Sequence, residues 1–393
     1  MAEDIKLITP SGIRDWPPEN AWRKRYIENI LVKLFQSWGY EEVITGTLEF
    51  DNVISKGLSE NEKSQLYRFF GREGEILTLR PDMTTPIARF TATHLKNKTF
   101  PLRFFYTGNV FRYEKIQAGR YREFFQAGVE LIGAESSLAD AEIIILASRA
   151  LEKVGVKDFR IGIGDIQLLN LVLELCELEY YGKEQLRKAI AEKDYVSVKA
   201  LINKLKNESQ SSYIQLLEKL SNIYGPDDFI KEFSRFETCL VIKNRLTVLK
   251  NIITLLETAD LKDRIIIDLG ITRDFQYYTG IVFEIYSPYI GFPICGGGRY
   301  DNLLNNFGFK CPATGFAMGI ERVLLVLEKS GKLPKLEYKK CLVVGGDFKK
   351  IFQRAEELRS RGFFVEVELE EKDEKELKEY AKSKGINYIE VVN

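Results

Sequence analysis

The sequence is short of the residue on which many catalytic and metal sites depend. Its 393 residues include one histidine, His94. A Ser-His-Asp triad or a two-histidine metal centre would need that residue at the chemistry. His94 falls instead within a predicted helix, residues 86–98, where a surface or half-buried position is expected. Proton-shuttling catalysis by histidine is therefore disfavoured.

The chain also lacks paired cysteines, long apolar stretches and an excess of positive charge. Its five cysteines show no CxxC spacing, which argues against a zinc site or a disulfide framework and predicts a cytoplasmic location. The charged start predicts no signal peptide, and no run of about 18 apolar residues predicts a membrane span. Lysine plus arginine equals aspartate plus glutamate, 57 each, so composition does not favour binding of nucleic acid, tRNA included.

What is present is the composition of a soluble globular protein, 45% hydrophobic and 29% charged, long enough for two or three domains. Periodicity in the first part predicts a long helix, a strand, two strands joined by a polar turn, and another helix. Their residues are 22–38, 42–50, 102–114, 122–133 and 139–154.

The composition and periodicity of the remaining sequence change twice. A leucine- and lysine-rich stretch with helical spacing predicts a helical insertion at about 168–261. Strands are then predicted at 264–269 and 280–286, and a helix at 314–329. A linker at 331–338 leads to a small α/β unit at 339–393, so that the core domain is predicted to span 1–330.

Three arginine-bearing segments lie far apart in the sequence and have the composition of one binding site. They are centred on Arg112, on Arg273, and on the stretch from Arg299 to Arg322. Arginine presents fixed, forked donors that suit carboxylates and phosphates. Such a site is able to hold an amino acid and a nucleotide without a phosphate-binding loop.

The order of the motifs resembles the catalytic domain of histidyl-tRNA synthetase over residues 8–330. The segments that carry the resemblance are Pro-Ser-Gly-Ile-Arg-Asp at 10–15, Arg-Pro-Asp-Met-Thr at 80–84, Gly-Gly-Gly-Arg-Tyr-Asp at 296–301 and Gly-Ile-Glu-Arg at 319–322. The resemblance implies an α+β class II synthetase-like fold, a mixed and mainly antiparallel sheet flanked by helices, which forms dimers.

Several positions depart from the synthetase pattern. The hairpin has Phe125 where the synthetase usually has histidine, and residues 273–278 read Arg-Asp-Phe-Gln-Tyr-Tyr, which removes a carboxylate from the pocket floor. The tail is shorter than a full anticodon-binding domain. At these positions the sequence resembles that of a sister group, the regulatory subunits of short-form ATP phosphoribosyltransferase.

The resemblance also implies a set of site residues. Gln126 and Glu130 are an even number apart on a strand and so share a face. With Asp82 they would accept hydrogen bonds from an ammonium and an imidazole. Arg112 would contact a carboxylate or phosphate, Arg273 the carboxylate of the amino acid, and Arg322 the far phosphates of ATP. The implied histidine-binding residues are Asp82, Arg112, Gln126, Glu130, Arg273, Tyr277 and Tyr278; Arg112 and Arg322 form a vestigial nucleotide site.

Each of these residues also has a purely structural explanation. Gln126 and Glu130 would suit a solvated sheet face, Tyr277 and Tyr278 would suit strand positions packed in the core, and Arg322 would suit a helix-surface salt bridge. Arg299, Tyr300 and Asp301 are expected to shape the pocket floor. No catalytic residue, metal ligand or cofactor is predicted.

The resemblance implies a non-catalytic regulatory subunit for the first step of histidine biosynthesis. Its partner would be the short catalytic chain, in a hetero-octamer of four plus four, with histidine as the inhibiting effector. The alternatives are a histidine-tRNA ligase with a shortened anticodon-binding domain and a stand-alone histidine-binding module. The sequence leaves open whether histidine uses the inherited pocket or a subunit contact, and what the α/β tail does.

Overall fold

The protein divides into two compact units, Met1–Leu333 and Pro334–Asn393. The computed structural model describes residues 8–392 with several short gaps. The gaps are residues 116–119, 177–179, 209–211, 221, 234–238, 272–276, 337 and 371. Within the described residues, no helix is both long and apolar enough to cross a membrane.

The first unit is built on a nine-stranded sheet, counted over the described residues. Its order is β1-β5-β6-β12-β11-β10-β7-β9-β8, and a smaller sheet has the order β2-β4-β3. The β1–β5 and β7–β9 pairs are parallel and the other neighbours in both sheets are antiparallel. The strands are β1 Glu41–Glu42, β2 Leu48–Phe50, β3 Arg68–Phe70, β4 Ile76–Leu79, β5 Leu102–Phe111, β6 Glu123–Ile132, β7 Arg160–Asp165, β8 Ile223–Tyr224, β9 Ile265–Asp268, β10 Ile281–Tyr286, β11 Cys295–Arg299 and β12 Ala313–Gly319.

Helices flank these sheets and make up most of the stretch between β7 and β9. Short 3-10 turns span Ser55–Gly57, Lys262–Arg264 and Leu304–Phe307, and a π-helical turn spans Thr91–Leu95. The α-helices are α1 Pro18–Ser37, α2 Asp51–Ile54, α3 Glu60–Ser64, α4 Thr84–Phe90, α5 Ser137–Lys153, α6 Ile166–Leu175, α7 Tyr180–Ala191, α8 Tyr195–Glu208, α9 Ser212–Leu220, α10 Pro226–Phe233, α11 Leu240–Thr258 and α12 Ile320–Lys329.

Alternation along the central strands separates a helix-covered face of the sheet from a polar one. On β6, the side chains of Ala127, Val129 and Leu131 are buried in the main core, which also includes α1 and α5. The intervening positions of β6 include Gln126 and Glu130, which point to the other face. This period of two places the polar residues of β6 together, as the sequence predicts.

The helical insertion shares the main core. Apolar residues from α6 to α11, such as Leu173, Leu217 and Leu246, are fully buried in the same cluster as the sheet residues. The predicted helical character of residues 168–261 is confirmed for the described residues, apart from the two-residue strand β8.

Four predictions about local structure are wrong. Residues 42–50 are not one strand, because β1 and β2 belong to different sheets. Residues 314–319 form most of β12 rather than the start of a helix, and the helix begins at Ile320. Arg112 follows the end of β5 instead of lying on it. Tyr277 and Tyr278 precede β10 and are not strand residues.

The second unit is a small α/β fold with three parallel strands in the order β14-β13-β15. Its elements are β13 Lys340–Gly345, α13 Phe348–Ser360, β14 Phe364–Val367, α14 Glu374–Lys384 and β15 Tyr388–Val392. The core is small, with Cys341, Val343, Ile351, Ala355 and Leu358 as its buried members. The predicted β-α-β-α-β order of the tail is confirmed.

A buried ion pair ties β11 to α5. Arg299 lies 2.9 Å from Asp140 between Nη2 and Oδ1, and both side chains are less than one-tenth exposed. Arg299 Nη1 also donates to Asp301 Oδ1 at 3.0 Å. Removing one partner of a buried pair leaves the other charge without compensation.

We expect Asp140→Ala to lower the free energy of unfolding by about 3 kcal/mol, because the Arg299 guanidinium would stay buried beside one carboxylate fewer. Urea denaturation of the purified protein measures this loss. The control is Glu60→Ala, which removes an exposed carboxylate and should change stability by less than about 0.5 kcal/mol. Equal losses in the two variants would contradict the importance of the buried pair.

Candidate functional site

A groove of about 340 Å³ lies over the polar face of the central sheet. Residues opposite one another on antiparallel strands share a face, and Glu130 pairs with Gly315, while Gln126 pairs with Gly319. The floor between these side chains is nearly bare backbone, because the strand positions that face upward are Gly296, Gly315, Ala317 and Gly319. A Cβ at Gly315 would collide with the Glu130 carboxylate and lie 2.5 Å from the Val129 carbonyl oxygen.

Glu130 is hydrogen-bonded to two other segments that line the groove. It is 1% exposed; Tyr300 donates a hydrogen bond to its Oε2, and Thr84 donates to its Oε1 at 2.8 Å. Burial raises the pKa of Glu130 to about 8, although both hydrogen bonds favour the ionised form and work against that rise. At neutral pH the empty groove therefore holds this carboxyl mainly protonated.

Gln126 offers an acceptor that the protein does not use. Its side chain is 9% exposed, and its Oε1 is buried with no hydrogen-bond partner among the described residues. Buried polar atoms are nearly always satisfied, and leaving one unsatisfied costs roughly 1–3 kcal/mol. Because Gln126 lines the groove, a ligand there with an N–H group could satisfy this oxygen.

Asp82 lines the same groove but is engaged by its own chain. Its Oδ1 accepts from the Thr85 amide at 2.8 Å and its Oδ2 from the Thr85 hydroxyl at 3.2 Å. The carboxylate thus satisfies the first turn of α4, where a negative charge is favourable. Burial raises the pKa of Asp82, and the Thr85 amide and Arg112 oppose the rise. To accept a hydrogen bond from a ligand, as predicted, Asp82 must do so while it keeps its hydrogen bonds with Thr85.

Tyr277 and Tyr278 both line the groove. The Tyr277 and Tyr278 ring centroids are 4.9 Å apart, and Tyr277 packs edge-on to Tyr300 at 5.7 Å. Tyr277 is 7% exposed, so it serves the core as well as the groove. Arg273, the predicted carboxylate ligand, lies outside the described residues.

The two predicted nucleotide arginines line the groove and contact backbone carbonyls. Arg112 Nε donates to the Pro81 carbonyl at 2.8 Å, and its guanidinium lies 5.3 Å from the Phe124 ring centroid. Arg322 Nη1 donates to the Pro293 carbonyl at 2.6 Å.

Glu321 joins the first turn of α12 to the predicted hairpin. Both of its carboxylate oxygens lie 3.1 Å from the Phe125 amide, which donates to them, and Arg14 approaches at 3.7 Å. Burial raises the pKa of Glu321 to about 7. Because it holds α12 against β6, Glu321 orients the neighbouring Arg322.

The structure adds contacts that the sequence did not predict. Thr84 and Tyr300 fall within predicted motifs, but their bonds to Glu130 depend on the folding of three distant segments. Ala191 and Lys193 come from the end of α7 and line the same groove, and periodicity alone gives no sign of that. In the described part of the chain, no group of three or more histidine, cysteine or acidic residues could hold a metal ion.

The raised pKa of Glu130 makes the free energy of unfolding depend on pH. The unfolded carboxyl has a pKa near 4.5 and the folded one about 8. The folded state therefore keeps a proton that the unfolded state releases, and stability falls as pH rises between these values. We expect wild type to lose about 2–3 kcal/mol more than Glu130→Gln between pH 5.5 and 8.5, as measured by urea denaturation at each pH.

The same measurement on Glu41→Gln, an exposed β1 carboxyl, should reproduce the wild-type slope. Glu321 contributes equally to the pH dependence of the unfolding free energy in all three proteins, so its contribution cancels in the comparison. Parallel profiles for wild type and Glu130→Gln would contradict a buried proton at Glu130.

Comparison with known proteins identifies the family. The family model described as histidyl-tRNA synthetase matches residues 12–323. The chain is 42% identical over 387 residues to the ATP phosphoribosyltransferase regulatory subunit of Moorella thermoacetica, covering 98% of each chain. It is 36% identical over 395 residues to the histidine--tRNA ligase of Methanocaldococcus jannaschii, covering 99% of this chain and 92% of that one.

A solved structure agrees with both sequence matches. It is described as an ATP phosphoribosyltransferase regulatory subunit/histidyl-tRNA synthetase from Bacillus halodurans C, with a TM-score of 0.85, 30% identity and 98% coverage of each chain. The predicted class II synthetase-like α+β fold is confirmed. The chain belongs to the histidyl-tRNA synthetase family and, within it, to the ATP phosphoribosyltransferase regulatory subunits.

Proposed function

We propose that this chain is the non-catalytic regulatory subunit of ATP phosphoribosyltransferase and that it binds histidine in the groove over the central sheet. The observation that carries the assignment is the 42% identity over nearly the whole length to a protein of that name. In this role it enables a separate catalytic chain to start histidine biosynthesis and passes on feedback inhibition by histidine.

The chemistry of the groove supports histidine as the ligand. The unpartnered Oε1 of Gln126 suits an ammonium N–H, and the Glu130 carboxyl suits an imidazole ring, since both residues line one groove. The rings of Tyr277 and Tyr278 provide an aromatic wall of the kind that accommodates a flat heterocycle. Asp82 and Arg112 complete the set by resemblance, together with Arg273.

Protonation supports the same ligand. Burial holds the pKa of Glu130 at about 8 in the empty groove, whereas a free imidazole titrates near ~6.5. These two values alone keep the proton on the carboxyl, but the attraction between a positively charged ring and the carboxylate favours its transfer, and the resulting ion pair avoids the cost of an isolated buried charge. A neutral ring without basic nitrogen would lack this means of stabilising the ionised carboxylate.

Inhibition by histidine would depend on thermodynamic linkage between histidine binding and the state of the complex. A ligand shifts an equilibrium only as far as its affinities for the two states differ. A coupling of roughly 1–3 kcal/mol would change activity about 5- to 150-fold. Histidine in the groove must therefore bind one assembly state of the complex more tightly than another.

Assembly is the second half of the proposal. The partner is the short-form catalytic chain, four copies with four of this one, and this chain itself pairs as a dimer. Leu48, Phe50 and Phe69 share one face of the small sheet with Leu77, and each of the first three is more than one-third exposed. An exposed apolar sheet face of this kind suits contact with another chain.

Location and cofactors follow the same reasoning. The five cysteines are free thiols, four of them buried, which suits the reducing cytoplasm. No cofactor is proposed, and tRNA is not a proposed partner. Arg112 and Arg322 remain a vestigial nucleotide site in this proposal.

Histidine-tRNA ligase is the second candidate, favoured by the 36% identity to the protein of that name from Methanocaldococcus jannaschii. The retained arginines Arg112 and Arg322 suit it as well. Against it stands the changed pocket motif at 273–278. A stand-alone histidine-binding module is the third, and it predicts no catalytic partner.

We expect Gln126→Met to weaken histidine binding at least roughly tenfold in titration calorimetry, because a hydrogen bond to a charged donor would be lost. The unliganded variant should be as stable as wild type or more so, since the unsatisfied acceptor is removed. Gln36→Met, at an exposed position on α1, is the matched control and should bind like wild type. Unchanged affinity in Gln126→Met would move the histidine site to a subunit contact.

The subunit assignment is tested by co-expression with a short-form catalytic chain. We expect the two chains to co-purify in equal amounts, and the complex to show phosphoribosyl transfer that histidine inhibits. The chain alone should show no histidine-dependent exchange of pyrophosphate into ATP. A robust exchange signal would establish the ligase instead, and failure to retain the catalytic chain would favour the stand-alone module.

A further inference from the structure

The turn that follows α7 contains a lysine in an unusual backbone conformation. Lys193 has a φ of 55°, in the left-handed region. Its amide donates to the Ile190 carbonyl at 3.1 Å, and the Asp194 amide donates to the Ala189 carbonyl at 2.9 Å. This pair of bonds is the usual end of a helix, at which the left-handed residue is most often glycine. A residue with a Cβ is disfavoured there.

Asp260 is the other non-glycine residue with positive φ in the described chain, and aspartate tolerates that conformation. Lysine has no such local compensation, since its side chain is long and carries only donors. A disfavoured backbone at one residue points to a role for its side chain.

The Lys193 side chain reaches from the helical insertion to the central sheet. Its Nζ lies 2.5 Å from Oδ2 of Asp268, the last residue of β9, and Asp268 is 5% exposed. The other carboxylate oxygen accepts from the Gly270 amide at 3.1 Å. One buried carboxylate therefore fixes both the turn after β9 and the end of α7.

Backbone packing brings the same two segments together. A Cβ on Gly270 would lie 3.1 Å from the Ile190 carbonyl oxygen and 3.3 Å from Ile190 Cγ2. Contacts that short are tighter than side chains ordinarily make, so glycine is what lets the turn after β9 approach α7 closely. This approach is independent of the ion pair and places the same two segments side by side.

Both segments form part of the groove. Ala191 and Lys193 line it from the insertion, and Gly270 and Ile271 line it from the turn after β9. On β10, which β7 separates from β9, Tyr286 donates a hydrogen bond to Glu284, and both residues line the groove. This wall is thus assembled from two parts of the chain that meet where the end of α7 contacts the turn after β9.

We propose that Lys193 is a positioning residue of the histidine site, which holds the helical insertion against the turn after β9 and so keeps this wall of the groove in place. The inference rests on the proposed histidine site and deepens it. Lys193 acts through Asp268 rather than by touching the ligand. The insertion is then a part of the sensor, and occupancy of the groove is coupled to the α7 end of the insertion.

The test uses the full chain, with Lys193→Gly, Lys193→Arg and Asp268→Asn, and Lys188→Ala as control. Lys188 lies on α7 and is exposed, with a surface partner in Glu192. Lys193→Gly keeps the left-handed backbone without its conformational cost and removes both the ion pair and a groove-lining side chain, so Asp268→Asn, which keeps that side chain, tests the ion pair by itself. Titration calorimetry with histidine, thermal unfolding and hydrogen exchange with and without histidine are the measurements.

We expect Lys193→Gly and Asp268→Asn to weaken histidine binding at least about fivefold, while Lys193→Arg and Lys188→Ala bind like wild type. The Tm of Lys193→Gly should stay within about 3 °C of wild type, because relief of the backbone offsets the lost ion pair. Histidine should slow amide exchange at residues 189–194 and 268–271 in wild type and do so less in Lys193→Gly.

The contrary outcomes are distinct. If wild type binds histidine and Lys193→Gly binds it equally well, the positioning role is refuted and the histidine site stands. A lower Tm in Lys193→Gly and Asp268→Asn with unchanged affinity for histidine also refutes the positioning role. The ion pair would then stabilise the fold without shaping the histidine site. If wild type binds no histidine, the proposed function and this inference fall together.

Discussion

The carboxyl group of Glu130 is the contact on which the rest of the groove depends. It joins β6 to Thr84 at the start of α4 and to Tyr300 just after β11, three segments that are far apart in the sequence. Gly315 leaves the space that this carboxyl occupies. Burial raises the pKa of this group to about 8, so at neutral pH the site forms without an isolated charge at Glu130.

The groove around Glu130 has a floor and walls of different construction. The floor is strand backbone, and its hydrogen bonds are used within the sheet. The walls come from Tyr277 and Tyr278, from the residues near Arg112, and from the helical insertion. A class II synthetase-like scaffold can therefore keep its architecture while the residues that decide between catalysis and sensing change.

The sequence predicted the parts of this arrangement that depend on local periodicity. Gln126 and Glu130 share a face because strands repeat every two residues, and the helical insertion follows from its leucine spacing. The strand at 314–319 was mistaken for a helix because its apolar, glycine-containing run leads directly into α12. Apolar runs of that length do not distinguish a buried strand from a helix.

Other features depend on contacts that no local pattern encodes. The bonds that occupy Asp82 arise because its short side chain ends beside the Thr85 amide. Lys193 reaches the groove only because the insertion folds back on β9. The roles of Thr84 and Tyr300 likewise need the tertiary structure, although both residues stood within recognised motifs.

The glycine-rich floor has a consequence for how such a protein can diversify. Where a surface is made of main chain, substitution has almost nothing to replace, and a methyl group added at Gly315 intrudes on the Val129 carbonyl and on Glu130. New ligand preferences must then be acquired from the sides, through loops and inserted helices. Lineages of this fold are free to exchange those peripheral parts while the sheet beneath them stays the same.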